Sequence, residues 1–238
     1  MSRRMANPQS QQPSTLVLLS GGLDSAVLLA HEAQARRVWP VYVKVGLAWE
    51  ALEVEMVERL LAHPSLPARV EPLSIVEFTM RDVYATSHWA IRGEPPAYDT
   101  PDEDVYLTGR NLVLLAKAGV MAATKRVQRI ALGPLAGNPF PDARPAFFAA
   151  MQHAIVLGLD YAVEVAAPFL EWQKEDVIRR GLELSVPLAL TLSCMNPVGG
   201  DDGVARHCGL CSKCRERRDA FAAIGQVDPA VFAAASPR

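Results

Sequence analysis

The chain has 238 residues, of which 50% are hydrophobic, and its formal net charge is −2. This length and apolar content suffice for one large domain, with or without a small appendage, and exclude disorder over most of the chain. A nearly neutral chain lacks the clustered positive charge of a broad nucleic-acid-binding surface. No apolar run approaches the roughly 20 residues that cross a bilayer. We therefore expect a cytoplasmic protein with no membrane partner and no direct nucleic-acid partner.

The chain begins with a polar, proline-containing segment, residues 1–13, which lacks the apolar stretch of a secretory signal. We predict a disordered tail there and an α/β domain over residues 14–190. Residues 15–20 predict a buried strand, because they include a continuous apolar run. Residues 24–36 predict a helix, because their apolar side chains recur at helical spacing.

The turn between this strand and this helix, Ser20-Gly-Gly-Leu-Asp-Ser25, has the chemistry of an anion site. The first N–H groups of a helix have no partner within the helix, and the helix dipole favours negative charge there. The two glycines let the backbone approach a phosphate closely, and the serine hydroxyls supply further donors. The Gly-Lys-Ser/Thr ending of a Walker loop is missing. An ordinary turn of small residues is the alternative interpretation.

Strands and helices alternate through the rest of the domain. Further strands are predicted at residues 38–45, with Pro40 near the start, and at 69–76, 129–133 and 162–166. Further helices are predicted at residues 50–62, 111–124, 144–158 and 173–184. The alternation indicates an α/β fold with a doubly wound, mostly parallel sheet. Since ligands bind beyond the carboxyl ends of such strands, the loops at 20–25, 45–50, 108–111 and 133–142 are expected to share one cleft.

The stretch from residue 79 to residue 108 breaks this pattern. It carries Pro95-Pro96, Pro101 and the acidic run Asp102-Glu103-Asp104. Loops of this length inside a compact domain are often functional, so one interpretation is a partly ordered excursion near the active site. The other interpretation is a surface insertion.

The four cysteines fall in one short stretch, at Cys194, Cys208, Cys211 and Cys214. In a cytosolic protein, two-residue spacings between cysteines predict a closed tetrahedral zinc site and not disulfides. We expect this zinc to be structural and to fold a small helical segment over residues 191–226, followed by a tail at 227–238. An iron–sulfur cluster, or a site in which His207 replaces one thiolate, is the alternative.

The loop and the cysteine run together resemble the 7-cyano-7-deazaguanine synthase family of queuosine biosynthesis, within the ATP-pyrophosphatase superfamily and its SGGxDS loop. Further similar segments are Gly109-Arg-Asn111, Phe140-Pro-Asp-Ala-Arg-Pro-Ala-Phe147, Ala167-Pro-Phe-Leu170, Lys174-Glu-Asp-Val-Ile178 and Thr191-Leu-Ser-Cys194. The resemblance implies a Rossmann-like nucleotide-binding fold and a ligase that converts 7-carboxy-7-deazaguanine and ammonia to a nitrile. It also implies ATP and Mg²⁺ as cofactors, AMP and pyrophosphate as products, and a homodimer.

The resemblance also assigns roles to individual residues. Catalysis is expected from Asp24, Ser25, Arg110 and Lys174, nucleotide binding from Ser20, Gly21, Gly22, Leu23, Asp24 and Ser25, substrate contacts from Asn111, Asp142 and Arg144, and zinc binding from Cys194, Cys208, Cys211 and Cys214. Three of these residues have simpler alternatives. Arg110 would pair with the acidic run, Asp142 would cap the following helix, and Lys174 would be solvated.

Two segments depart from the family pattern. After the second strand the family has Tyr-Gly-Gln-Arg-His, whereas this chain has Val45-Gly-Leu-Ala-Trp49. Before Pro-Asp-x-Arg, a polar, acidic stretch of the family is replaced by Gly133-Pro-Leu-Ala-Gly-Asn-Pro139. Trp49 is expected either to stack on a flat ring or to be structural. The competing functions are a related ligase for another small acid or amide, a tRNA-thiolating enzyme, and a nucleotide-binding module without catalysis.

Overall fold

Five parallel strands form one sheet in the computed structural model, which describes residues 12–200 and 202–233. The strands are β1 (Ser14–Leu18), β2 (Arg37–Lys44), β3 (Ser74–Glu77), β4 (Arg129–Ala131) and β5 (Glu164–Ala166). Their order across the sheet is β3-β2-β1-β4-β5. The predicted doubly wound, parallel sheet is confirmed, and the direction of winding reverses between β1 and β4. Residues 1–11 of the predicted N-terminal tail lie outside the described residues.

Helices cover both faces of the sheet. In the described part of the chain they are α1 (Leu23–Glu32), α2 (Glu50–Leu61), α3 (Trp89–Arg92), α4 (Arg110–Lys125), α5 (Pro145–Leu159), α6 (Lys174–Glu183) and α7 (Ser212–Ala223). Alternate residues of β1 pack into two cores: Leu16 and Leu18 face α4 and α5, and Val17 faces α1 and α6. A strand buried on both faces must be apolar throughout, as β1 is. Among the described residues, no helix is long and apolar enough to cross a membrane.

Pro40 lies inside β2 and not near its start as predicted. Val38, two residues earlier, forms an isolated bridge with Val70 on the side of β3. Alternate residues of a strand pair with the same neighbour, so Pro40 faces this side as well and has no N–H to donate. Regular pairing with β3 starts only at Ser74. The strand predicted at residues 69–76 is therefore shorter and begins later.

The segment between β3 and α4 forms an ordered wall beside the carboxyl ends of the strands. It contains α3 and a 3-10 turn at Asp102–Val105. Tyr84, Ala90 and Leu107 are buried in the same core as α4. This packing supports the interpretation as an excursion beside the cleft and argues against a separate surface insertion.

The C-terminal segment is closed by a buried ion pair. Arg217 is 2% exposed, and its Nε lies 2.8 Å from Asp228 Oδ2. His207 forms a bridge with Phe232. Residues 227–233, which the sequence suggested as tail, thus pack against the cysteine-containing segment. The last five residues of the chain, from Ala234 onwards, lie outside the described part.

Candidate active site

The predicted phosphate loop lies between β1 and α1, and its side chains brace its own backbone. Gly22 is the N-cap of α1. Ser25 Oγ donates to Gly22 O at 3.0 Å and accepts from the Ser20 N–H at 3.2 Å. Gly21 has a φ of +80°, and a Cβ there would lie 2.8 Å from the Val57 side chain, so the turn requires glycine. The loop leaves the start of α1 as a donor site for an anion.

The cysteine-containing segment supports this loop from behind. The Leu192 N–H donates to Gly21 O at 2.8 Å, and the Leu23 N–H donates to Ser193 Oγ at 3.2 Å. The Ser193 N–H in turn donates to His207 Nε2 at 3.0 Å. Burial lowers the pKa of His207 to about 4, so the ring is neutral and accepts this hydrogen bond. The sequence predicted the segment as an appendage and gave no sign of this support.

A cavity of about 350 Å³ opens in front of the loop. Its lining confirms the prediction that four loops share one cleft. The first loop contributes Ser20 and most of the residues after it, and the second contributes Trp49. The third contributes Arg110 and Asn111, and the fourth contributes residues between Gly133 and Asp142. The excursion adds Val105, Tyr106 and Leu107.

Lys174 is held between two carboxylates at the mouth of the cavity. Its Nζ lies 2.6 Å from Asp24 Oδ2 and 2.8 Å from Glu216 Oε1. Burial alone would lower the pKa of Lys174, but the two carboxylates outweigh it and raise the pKa. Burial raises the pKa of Asp24, and Lys174 opposes that shift. Lys174 is therefore an ion-paired side chain, 16% exposed, and the solvated alternative is wrong.

The cavity wall also contains Arg110, Asn111 and Asp142. Asp142 Oδ2 accepts from the Asn111 N–H at 3.1 Å, and Asn111 Nδ2 donates to Asp142 O at 2.9 Å. Asp142 thus caps α4, which precedes it, and not the following helix. Burial raises the pKa of Asp142. Arg110 forms no ion pair with any described residue, and its Nε is buried without a partner, so pairing with the acidic run at 102–104 does not occur.

Arg144 does not join this group. It is the N-cap of α5, is exposed, and does not line the cavity. The other predicted catalytic and substrate residues line the cavity, and of the loop residues only Gly21 lies behind it. Two of these cavity-lining residues each have a buried carboxylate oxygen, Asp24 Oδ1 and Asp142 Oδ1, with no partner among the described residues.

A buried carboxyl group on α2 was not anticipated from the sequence. Glu53 is 6% exposed, lines the cavity, and its Oε2 accepts from Tyr42 O–H at 2.6 Å. Burial raises the pKa of Glu53 to about 7, against the opposing effects of Arg110 and of hydrogen bonds from Tyr42 and Trp49. Trp49 is 6% exposed and stacks on Trp89 with ring centroids 5.8 Å apart. The apolar loop after β2 is therefore backed by a polar cluster.

We predict that Glu53→Gln makes the stability of the protein less dependent on pH. The pKa of Glu53 is about 7 in the folded chain against an ordinary value of 4.5. A raised pKa in the folded state contributes stability that is fully present below pH 4.5 and is lost as the pH rises through 7. Between pH 4.5 and 7 the free energy of unfolding of the wild type should thus fall by about 3 kcal/mol relative to that of the variant. Urea unfolding at each pH measures this difference.

Glu55→Gln is the matched control for this prediction, since Glu55 is an exposed carboxylate on the same helix. Its unfolding free energy should follow the wild type across the same pH window. Parallel curves for Glu53→Gln and the wild type would show that Glu53 is ionised in the folded protein and would refute the prediction.

The four cysteine thiols converge on one buried point. Their Sγ atoms all lie within 4.8 Å of one another, and three of the separations are 3.5, 3.9 and 4.0 Å. A tetrahedral ion with Zn–S bonds of ~2.3 Å places its thiolates about 3.8 Å apart. The Cys208 N–H donates to Cys194 Sγ at 3.2 Å, as suits a thiolate acceptor. The cluster can hold a metal ion with thiolates alone, and His207 instead accepts a hydrogen bond from Ser193, which supports the phosphate loop.

The chain matches a known protein family. The chain matches the family described as "Queuosine biosynthesis protein QueC" over residues 14–225, a span that includes the phosphate loop, the cavity and the four cysteines. The chain belongs to the QueC family. Curated relatives match it over about nine-tenths of its length.

Three curated relatives illustrate the match, each named 7-cyano-7-deazaguanine synthase. The protein from Caldicellulosiruptor bescii is 31% identical over 90% of this chain and 95% of its own length. The protein from Azoarcus sp. is 34% identical over 93% of this chain and 98% of its own length. The protein from Haloarcula marismortui is 34% identical over 92% of this chain and 94% of its own length.

Proposed function

We propose that this QueC-family protein converts 7-carboxy-7-deazaguanine to 7-cyano-7-deazaguanine, using ATP and ammonia. The observation that carries the proposal is the pairing, in one cavity, of an anion-binding loop with an arginine that has no ion-pair partner among the described residues. The loop suits the phosphates of ATP. Arg110 suits the carboxylate of the acid, because a guanidinium binds a carboxylate through two hydrogen bonds.

In the first step an oxygen of the substrate carboxylate attacks the α-phosphorus of ATP. The bond between this phosphorus and the bridging oxygen breaks, and pyrophosphate leaves with the bonding electrons. The N–H groups of α1 that follow Leu23, with the Ser20 hydroxyl, bind that departing charge while Ser25 braces the loop, and Lys174 adds a cation 2.6 Å from the loop carboxylate of Asp24. The protein therefore contributes mainly orientation and charge stabilisation.

Ammonia then attacks the carbonyl carbon of the adenylated acid, AMP leaves, and an amide forms. A second ATP adenylates the amide oxygen with release of pyrophosphate, and loss of both protons from nitrogen together with departure of AMP leaves the nitrile. Both activations need the same alignment of an oxygen with the α-phosphorus. We assign to Asp142 the role of holding the deazapurine during both, because Asp142 lines the cavity and its Oδ1 has no partner among the described residues. The N–H donors of a guanine-like ring would satisfy that oxygen.

We assign zinc to the four cysteines, because a closed set of thiolates at these separations suits a structural zinc ion. An iron–sulfur cluster is the alternative occupant. For Mg²⁺, Asp24 is the fitting ligand, since its Oδ1 is buried and has no partner among the described residues. Bound with ATP, Mg²⁺ would supply charge neutralisation of the triphosphate.

The proposal is tested by mass spectrometry after incubation of zinc-replete protein with 7-carboxy-7-deazaguanine, ATP, Mg²⁺ and ammonium. The expected result is the nitrile, with AMP and pyrophosphate. An amide as the end product would indicate a related ligase instead, the second candidate, which the apolar side chain of Trp49 in the cavity wall favours. Bound ATP without AMP release for any acid would indicate a non-catalytic nucleotide-binding module.

We also propose that the protein forms a homodimer through α5. This helix carries no charged side chain, and its outer face exposes Ala146, Ala150, Ala154 and Gly158 at a spacing of four, beside Leu157, which is 69% exposed. A row of small residues lets two helices approach closely, and an apolar face of this kind on a monomer is unusual. A second copy of α5 is the occupant that a two-fold interface would supply.

The change Ala154→Arg is predicted to convert a dimer to a monomer at micromolar concentration, as measured by light scattering after gel filtration. A charge buried at such a contact lacks a partner, because the facing helix is equally free of charge. The matched control is Ala51→Arg, on the exposed face of α2, which should leave the mass unchanged. A monomeric wild type would refute the proposal.

A further inference from the structure

Two lysines at the mouth of the cavity share one carboxylate. Glu216 Oε1 lies 2.8 Å from Lys174 Nζ, and Glu216 Oε2 lies 2.7 Å from Lys213 Nζ. Lys174 belongs to α6, whereas Lys213 and Glu216 belong to α7, the helix that also carries the last cysteine. Both lysines line the same cavity as Asp24 and the phosphate loop. The cysteine-containing segment thus brings a second cation to the phosphate site.

Lys213 is held less tightly than Lys174. Its second partner is Asp102 of the excursion, with Oδ1 at 3.2 Å, and that carboxylate is 49% exposed. Lys213 itself is 31% exposed, whereas Lys174 is 16% exposed. An exposed ion pair contributes little stability, so Lys213 can exchange Asp102 for another anion at small cost. Glu216, by contrast, remains shared between the two lysines.

We propose that Lys213 is a phosphate-binding residue that, together with Lys174, binds the pyrophosphate part of ATP, and that Glu216 is the positioning residue that holds both ammonium groups. The inference rests on the proposed function in so far as the anion is ATP-derived. If Lys213 binds phosphate, the cysteine-containing segment has a direct role at the active site and does more than support the fold.

The chemistry of the reaction favours a pair of lysines over one. Pyrophosphate leaves carrying more negative charge than it bore within ATP, so cations near its oxygens are most valuable during bond breaking. Around Lys174 alone, two carboxylates already neutralise the ammonium. A second ammonium on the same carboxylate cancels the excess negative charge of Asp24 and Glu216 over Lys174, and Lys213 is the group that does so.

The test measures binding of inorganic pyrophosphate with Mg²⁺ by calorimetry, which requires no acid substrate. Lys213→Met should weaken binding roughly ten- to hundredfold, the effect of losing one charged hydrogen bond. Lys213→Arg, which keeps the charge, should recover most of the affinity. Lys125→Met, a lysine on the last turn of α4, is the matched control and should bind like the wild type. Zinc content and melting temperature are recorded for each variant.

Asp102→Asn provides a second arm that leaves the cysteine segment intact, because Asp102 belongs to the excursion. It releases Lys213 from its competing carboxylate, so pyrophosphate should bind as tightly as in the wild type or more tightly. Unchanged affinity in zinc-replete Lys213→Met would overturn the inference, and so would weaker binding in Asp102→Asn. The proposed function is tested separately, by nitrile formation in the wild type. The role of Lys213 in pyrophosphate binding can therefore fail while the proposed function holds, and the reverse.

Discussion

Replacing Cys211 by serine is expected to release the bound metal, detach α7 and abolish turnover. Cys211 is fully buried, and its Sγ lies 4.0 Å from Cys194 Sγ and 3.5 Å from Cys214 Sγ. Binding of structural zinc supplies folding free energy directly, so loss of one thiolate of four should lower the melting temperature by about 10 °C or more. Metal content by atomic emission, thermal melting and AMP release measure the three effects.

The loss of activity has a specific route in this structure. Leu192 and Ser193 hold the phosphate loop by hydrogen bonds to Gly21 and Leu23. Ser193 in turn is hydrogen-bonded to His207, the neighbour of Cys208. A loosened segment would thus release the loop and remove Lys213 from the cavity. Activity should fall further than the decrease in folded population explains. Metal analysis and visible absorbance of the wild type also distinguish zinc from an iron–sulfur cluster.

Ser212→Ala is the matched control, because Ser212 follows Cys211 directly in sequence but is not a ligand. It is 1% exposed, and its Oγ has no partner among the described residues. It should keep the metal, the melting temperature and the activity. Wild-type metal content and melting temperature in Cys211→Ser would mean that the four thiols do not act as a set of ligands.

The phosphate loop and the cysteine cluster could be predicted because each is encoded by neighbours in sequence. Strand, glycine turn and helix start follow one another within residues 14–32, and three of the four cysteines fall within seven residues. Local geometry therefore determines the chemistry at both places. The alternation of strands and helices likewise predicted a parallel sheet with helices on both faces, because parallel strands are joined by crossover helices.

Contacts between distant residues could not be predicted in this way. Lys174 lies 150 positions from Asp24, and nothing in the spacing of either residue predicts that they meet. Asp142 lies 31 positions from Asn111, so its role as the cap of α4 depends on how two loops pack. The sequence of the loop after β2 looked wholly apolar because its acidic partners, Glu50 and Glu53, lie on the next helix. Pairing across the fold decides such roles.

Replacing Asp24 by asparagine is expected to lower kcat roughly 100- to 1,000-fold while the protein stays folded. Asp24 Oδ2 binds Lys174 at 2.6 Å, and its Oδ1 is buried and has no partner among the described residues, which suits a ligand of the Mg²⁺ ion proposed above. An amide keeps the shape but removes the charge, so Lys174 shifts towards Glu216 and the metal ligand is lost. Steady-state AMP formation measures the effect, with thermal melting as the check on folding.

Asp160→Asn is the matched control for this substitution. Asp160 is exposed at the C-cap of α5 with a φ of 48°, a conformation that asparagine adopts readily, so both stability and kcat should be unchanged. If Asp24→Asn kept kcat within a few-fold of the wild type, the loop carboxylate would have no part in phosphate chemistry. If Asp24→Asn still binds ATP but loses kcat, the protein is an enzyme and not a nucleotide-binding module. Only an enzyme needs this charge as the phosphorus–oxygen bond breaks.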